Sequence, residues 1–424
     1  MELPDHFFRH ETGRIIATLS KIFGFQNIDL VEDATQEACG RAVEVWSVRG
    51  LPENPSAWLM TVAKNRALDI LRRERRTRTV STEYGQLLRS EWTMELRVDE
   101  LTELNAIKDD QLRLMFSCGH PRLPEEAQVA IMLHYLCGFS VKEVAQAYLS
   151  GFAAVDKRIT RGKKALASSG SLFDVSQQSD FMERLPVIHR AIYLLFNQGY
   201  HGGSQDSPVQ HLLCREAIRL VGMLLENPFG RTTETLALAA LMHLHAARLP
   251  AKLTPSGELT QLFDQDRGLW DQAHMQMGFE LLANASSGQN LTEYHIEALI
   301  AGMHASARDI ESTDWPTIVN LYDALLVLKA SPVIALNRAI AVSQAEGPAR
   351  GLEEIGCIAD ADRLETYPFY WAALGELQVL VKRDADAKRS FESALAIARN
   401  SAERKHLQKR IEAVSALPGL GSLK

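Results

Sequence analysis

Hydrophobic positions spaced three and four residues apart recur along most of the chain and predict helices. In residues 58–76 the apolar side chains fall on one stripe, formed by Leu59, Val62, Ala63, Ala67 and Ile70. Polar side chains occupy another face of the same predicted helix, namely Asn65, Asp69, Arg72 and Arg76. Alternating runs of Val, Ile and Thr, which are typical of strands, are scarce. The pattern therefore predicts an all-α protein.

Two polar segments interrupt the helical pattern. Residues 79–108 are acid-rich and weakly periodic, which is typical of a linker, and residues 168–180 form a second break. We therefore expect small helical units at 1–78 and 109–168, a flexible linker at 79–108, and a larger helical region at 180–424.

The end of this larger region carries a repeat pattern. Residues with the W-x2-L-G and A-x3-F spacing of a tetratricopeptide helix pair are Trp371, Leu374, Gly375, Ala387, Phe391 and Ala394. Gln378 stands where that pattern has Tyr. We predict a tetratricopeptide-like repeat at about 333–412, and a generic helical hairpin is the alternative.

Charge changes the picture because it is unevenly distributed. The chain has 424 residues and a net charge of −7, yet residues 1–170 contain 23 basic and 23 acidic residues. The negative excess therefore lies entirely in residues 171–424. Its five cysteines are dispersed, which is typical of reduced thiols. The start lacks a signal peptide and no run of eighteen apolar residues occurs, so we expect a cytoplasmic protein without a membrane span.

The first basic cluster ends the helix at 58–76. Residues 64–78 hold seven basic side chains against two acidic ones. A helix dipole accounts for one or two cations at a C-terminus. Repulsion among the remaining cations indicates an anionic partner, and nucleic-acid phosphates fit this role.

The second basic cluster follows a predicted helix-turn-helix. Ser140 and Glu143 have the spacing of a capping box, Gly151 marks a turn, and a second helix begins at about Ala153. The predicted core residues are Val144, Val155, Ile159 and Leu166. The basic residues expected to face solvent and DNA are Lys157, Arg158, Arg161, Lys163 and Lys164.

An enzymatic reading finds little support in the sequence. Cys118 and His120 form a C-x-H pair, and His243 and His245 lie on different faces of a helix, so neither pair completes a metal ligand set. Common phosphate-loop, dinucleotide-binding and nucleophile-elbow motifs are absent from the sequence. We therefore expect no catalysis, no metal and no cofactor.

Three segments resemble the sigma factors of bacterial RNA polymerase of the extracytoplasmic-function (ECF) type. Residues 29–46 resemble the family's polymerase-binding helix, residues 51–76 its −10 element helix, and residues 109–168 its −35 element domain. Residues 190–200, 213–220 and 263–271 are similar to the extension of a subgroup with a long C-terminal region.

The resemblance implies partners and site residues. Core RNA polymerase would be bound by Asp33, Gln36, Glu37 and Arg41. The opened −10 DNA would be bound by Asn54, Trp58, Asn65, Arg66, Asp69, Arg72 and Arg73. The −35 duplex would be bound by Lys157, Arg158, Arg161 and Lys164. The resemblance thus implies promoter-specific initiation of transcription.

Two questions stay open at this level. The chain could instead be a DNA-binding regulator or a tetratricopeptide-like interaction scaffold without sigma activity. Within the sigma reading, the acidic residues 171–424 could pack against the basic helices or the linker and tune DNA access, or they could be required for assembly with polymerase.

Overall fold

The computed structural model describes residues 7–77, 104–147, 150–167, 178–201, 211–254, 260–287, 290–398 and 400–416. The regular elements in these ranges are helices, which confirms the predicted all-α class. Within the same ranges no helix is long and apolar enough to cross a membrane. The chain forms two compact units, one of residues 1–195 and 226–230 and the other of residues 196–225 and 231–424.

The first unit is built around its first helix. Its helices are α1 Phe7–Phe23, α2 Ile28–Arg49, α3 Pro55–Thr77, α4 Leu104–Cys118, α5 Glu125–Ile131, α6 Val141–Ala147 and α7 Phe152–Ala167. Ile15, Ile16, Ala17 and Leu19 on α1 are each at most 2% exposed, so the middle of this helix is enclosed on all sides. It packs against α2 and α3 and also against α4. The two predicted small helical units therefore share one core.

A glycine permits the closest approach inside this core. A Cβ added at Gly13 on α1 would lie 2.1 Å from the backbone oxygen of Leu136, in the π-helical turn Met132–Leu136 that follows α5. No side chain fits into that distance without displacing backbone. The absence of a side chain at Gly13 therefore lets α1 contact this turn directly.

The unit boundaries differ from those expected. Residues 79–103 of the predicted linker lie outside the described residues. The remaining part, 104–108, is helical, because α4 begins at Leu104. Helix α8, Gln178–His201, follows the second break, and its residues up to Leu195 belong to the first unit rather than to the region after 180. The Phe181 ring stacks on Phe116 at 3.8 Å, and this contact ties the start of α8 to α4.

The second unit continues as a succession of helices. They are α9 His211–Glu226, α10 Thr233–Ala246, α11 Gln272–Ala285, α12 Glu293–Ser306, α13 Trp315–Leu328, α14 Pro332–Glu346, α15 Pro348–Gly356, α16 Pro368–Leu380, α17 Asp384–Ala396 and α18 Ser401–Ala416. Polar N-caps define several starts: the side chains of Thr232, Asp271 and Asp314 accept hydrogen bonds from backbone N–H groups in the first turns of α10, α11 and α13.

The predicted repeat lies in α16 and α17. A Cβ at Gly375 would come within 2.7 Å of the Phe391 ring, so the glycine lets α17 pack closely against α16. Ala387, Phe391 and Ala394 are fully buried. Gln378, at the position of the expected Tyr, accepts a 2.8 Å hydrogen bond from the Ser390 hydroxyl. Membership in the tetratricopeptide class stays a prediction.

Candidate nucleic-acid interface

Helix α2 presents the four residues expected to bind polymerase on one exposed face. Asp33, Gln36, Glu37 and Arg41 are all exposed, whereas Val31, Ala34, Ala38 and Ala42 on the opposite face are fully buried. The spacing of three and four residues puts each set on one side of the helix. Helix α2 thus presents a polar stripe to solvent and buries a stripe of small side chains in the core of the first unit.

An aromatic group surrounds the start of α3. The Trp58 ring packs edge-on to Trp46 at 5.3 Å, and Trp46 in turn stacks on Phe8 at 5.7 Å. Asn54 caps α3, because its side-chain oxygen accepts a 3.0 Å hydrogen bond from the Ala57 backbone. Trp58 is partly exposed, so part of its ring can stack on a base while its remaining surface packs against the protein.

The polar face of α3 lies C-terminal to Trp58 on the same helix. Asn65, Asp69, Arg72 and Arg73 are exposed, and Leu59, Ala63 and Ala67 on the opposite stripe are fully buried. Val62 and Ile70, predicted to belong to this stripe, are only partly buried. Arg72 lies 3.7 Å from Asp69, a spacing that orients the guanidinium along the helix. The side chain of Arg76 lies outside the described residues.

One contact joins the two expected interfaces. The Arg66 Nε donates a 2.6 Å hydrogen bond to Glu37 on α2, so a residue expected at DNA meets one expected at polymerase. Both side chains are solvent-accessible, with 30% and 54% exposure. Exposed ion pairs contribute little to stability, which leaves both groups able to exchange partners.

Helices α6 and α7 form the predicted helix-turn-helix. The Ser140 hydroxyl accepts from the Glu143 backbone at 3.3 Å, and Glu143 accepts from the Ser140 backbone at 2.8 Å, which is the expected capping box. The four predicted core residues Val144, Val155, Ile159 and Leu166 are at most 4% exposed.

The basic face of α7 is partly engaged. Lys157, Arg161 and Lys164 are exposed. Arg158 forms a 2.6 Å ion pair with Glu126 and is 31% exposed. The exposed positions lie one helical turn apart, so their charges can meet successive phosphates of one strand.

Lys163 is a correction to the sequence prediction. Instead of facing solvent, it contacts Asp29 and Glu32 on α2, the second at 3.3 Å, and its ammonium lies 5.5 Å from the Tyr135 ring centre. Helical periodicity correctly placed Lys163 outside the core of its own helix-turn-helix. It could not predict that α2, a helix from a distant part of the sequence, packs over this position.

Glu32 is the centre of this contact. His134 Nε2 lies 3.1 Å from its carboxylate, and the Tyr135 hydroxyl donates to it at 3.3 Å. Burial alone would raise the pKa of Glu32, but the His134 hydrogen bond and the Lys163 charge outweigh burial and hold the pKa below its usual value. Glu32 therefore stays ionised and joins α2 to α7.

Two further ion pairs connect the parts of the first unit. Arg9 on α1 pairs with Glu143 at 2.8 Å, and Lys21 pairs with Asp110 on α4 at 2.6 Å. Sequence reasoning missed Arg9, Lys21, Asp110 and Glu32, and it identified Glu143 only as part of the capping box. Their partners lie about a hundred positions away, and no local pattern indicates such a pairing.

The histidines of α10 have separate environments. His243 Nδ1 lies 3.0 Å from His274 Nδ1, and the His245 ring packs 5.1 Å from Tyr200. Burial lowers the pKa of His243 to about 4. Among the described residues no group of three His, Cys, Asp or Glu side chains is placed to hold a metal ion.

Three segments match known families. Residues 7–77 match the family described as Sigma-70 region 2, residues 114–166 match Sigma-70, region 4, and residues 184–286 match a family of unknown function, DUF6596. The chain is also 36% identical over 394 residues to an uncharacterized protein of Rhizobium meliloti (strain 1021), and this similarity covers 93% of the chain and 92% of that protein. No solved structure matches the chain.

Proposed function

The chain belongs to the ECF-type sigma factors with a long C-terminal extension, and from this premise we propose how its helices divide the work of initiation. The exposed face of α2 binds core RNA polymerase. The polar face of α3, with Trp58 at its start, holds the opened −10 strand. The exposed cations of α7 bind the −35 duplex. This makes the chain a transcription regulator and not an enzyme.

One observation carries the proposal for the −10 strand. A partly exposed tryptophan and four exposed polar or basic side chains follow one another along α3. Opened DNA is held by stacking platforms beside a cationic groove, and each stacked base contributes about 1–3 kcal/mol. Arginines that contact phosphates add affinity that falls with salt.

The proposal is tested by transcription with core RNA polymerase and the promoter of the protein's own operon. Arg72→Ala/Arg73→Ala should abolish strand opening, measured by permanganate reactivity of unpaired thymines, while binding to core persists. Lys157→Ala/Arg161→Ala should weaken promoter binding before opening. Arg389→Ala, an exposed arginine of α17, is the matched control and should leave both steps unchanged. Full opening by the α3 variant would contradict the assignment.

The polymerase face needs its own variants. Asp33→Ala/Arg41→Ala should reduce the affinity for core without changing the thermal stability, because both side chains are exposed. Unchanged core binding in this variant would exclude the α2 face as the docking surface. A chain that binds DNA but never binds core would instead fit the alternative of a DNA-binding regulator.

The extension is proposed to modulate initiation. The acidic excess of residues 171–424 supports an effect on the access of DNA to the basic helices. Truncation is the test, and the cut should follow residue 201, since a cut at 170 would remove Phe181 and Arg184, which contact Phe116. Higher activity of the shortened chain would indicate inhibition by the extension, lost activity would indicate a requirement, and unchanged activity would refute modulation.

A further inference from the structure

Seven side chains of the second unit gather where three helices end. Helix α8 ends at His201, α10 at Ala246 and α12 at Ser306. The side chains near these ends are Tyr200, His245, Arg248, Lys252, Arg267, Trp270 and His304, which we call the cationic cluster. None of them belongs to the faces proposed to bind polymerase or promoter DNA.

Aromatic rings hold the three cations of the cluster. The Lys252 ammonium lies 3.3 Å from the centre of the Tyr200 ring and donates a hydrogen bond to the Tyr200 carbonyl. The guanidinium groups of Arg248 and Arg267 lie 5.5 and 5.3 Å from the centre of the Trp270 ring. Cation–π contacts of this kind stabilise a cation above the face of an aromatic ring and orient its N–H groups.

The cations have no direct ion pair with a carboxylate in the part of the chain that the structure describes. The charges of Asp309 and Glu311 act on Arg267 from a greater distance. Burial and the charge of Arg248 lower the pKa of Lys252 to about 7. Burial and the neighbouring cations also lower the pKa of His245 to about 3 and that of His304 to about 4, so both imidazoles are neutral at pH 7.

Helix ends account for part of this charge. Arg267 donates to the carbonyls of His304 and Ala307 at 2.7 and 2.6 Å, at the end of α12. Each helix C-terminus carries roughly half a negative charge, so the three ends offset part of the positive charge of the cluster.

Polar atoms of the cluster also lack partners. The Tyr200 hydroxyl, the Trp270 indole N–H and Nδ1 of both His245 and His304 have no hydrogen-bond partner among the described residues. Tyr200 and Trp270 are only 2% and 3% exposed. Native proteins pair almost all buried polar atoms, so the buried Tyr200 hydroxyl and Trp270 N–H, left beside cations without a carboxylate contact, indicate a missing acceptor.

We propose that the cationic cluster binds the oxyanion group, a carboxylate or a phosphate, of a small molecule. Arg248, partly exposed, admits the anion and donates to it, while the buried Tyr200 hydroxyl and Trp270 N–H supply neutral donors deeper in the site. Charged donors to an oxyanion form the stronger hydrogen bonds in such sites. The extension of this sigma factor is thereby a ligand-binding unit.

Isothermal titration of the full chain tests this proposal without polymerase or DNA. Inorganic phosphate and succinate serve as the two probes, because a tetrahedral and a planar anion distinguish the two chemical sources. Binding of phosphate alone would assign a phosphate ligand, and binding of succinate alone a carboxylate ligand. Absence of binding by both would overturn the proposal.

Two variants and a control locate the binding. Arg248→Gln should lower the affinity for the bound probe by about tenfold or more, and Tyr200→Phe should lower it by about two- to tenfold. Arg389→Gln removes an exposed arginine of α17 and should leave the affinity unchanged. An equal loss in Arg389→Gln would reveal unspecific charge attraction and refute the site.

Thermal unfolding of Tyr200→Phe without a probe separates ligand binding from a structural role. A hydroxyl without a partner gives nothing to the fold, so its removal should leave the melting temperature unchanged or raise it. A lower melting temperature together with unchanged probe affinity would show that the hydroxyl serves the fold, and would overturn the assignment.

Discussion

Replacement of Glu32 by Gln should destabilise the first unit at neutral pH. The substitution keeps the size of the side chain but removes the charge that meets His134, Tyr135 and Lys163. Removing one partner of a buried ion pair typically costs about 3–5 kcal/mol. The Glu32 side chain is 17% exposed, and the amide of the replacing Gln still accepts one hydrogen bond. We therefore expect the free energy of unfolding to fall by about 2–4 kcal/mol.

The pH dependence follows from the lowered pKa of Glu32. A carboxyl group with a depressed folded-state pKa stabilises the fold fully above its ordinary value of 4.5, and this stabilisation is lost as the pH falls through the lower folded value. The difference between Glu32→Gln and the parent chain should therefore be largest near neutral pH and shrink below about pH 4.5.

Hydrogen exchange under increasing urea, followed by mass spectrometry, measures this effect in α2 and α7 separately from the second unit. Glu44→Gln is the matched control, because Glu44 is an exposed residue of the same helix. Faster exchange should appear in peptides of both helices for Glu32→Gln and in neither for Glu44→Gln. Equal protection of all three proteins at pH 7 would refute the role assigned to the Glu32 contact.

Three further substitutions test the packing. Gly13→Ala should destabilise the first unit by about 3 kcal/mol, because its Cβ would press on the Leu136 oxygen, and an unchanged urea midpoint would contradict this close contact. Phe391→Ala should cost about 3–5 kcal/mol in thermal unfolding of the second unit, since the ring is fully buried, and a loss below 1 kcal/mol would indicate a loosely packed repeat. Ser140→Ala should cost about 1 kcal/mol and increase amide exchange at the start of α6, and equal exchange would show that the cap is dispensable.

Local signals in the sequence were enough to predict the helix-turn-helix. The capping box of Ser140 and Glu143 defined the start of α6, and the spacing of Val155, Ile159 and Leu166 defined the buried face of α7. Both depend on residues within one or two turns of each other. Such short-range chemistry can be read without knowing the rest of the fold.

Contacts between distant segments could not be predicted in the same way. Lys163 faces α2 because two helical units share the core around α1, and neither unit alone indicates this. The cationic cluster likewise draws Tyr200, His245 and His304 together from three helix ends. In the sequence, the residues next to each of them form no motif that indicates a shared site.

The measurement that tests the central claim most directly is run-off transcription by core RNA polymerase supplemented with the full-length chain, on the promoter of its own operon. We predict a discrete transcript that requires the chain and disappears with Arg72→Ala/Arg73→Ala, while Arg389→Ala supports the same amount. No transcript and no binding to core by the folded parent chain would contradict the assignment of a sigma factor.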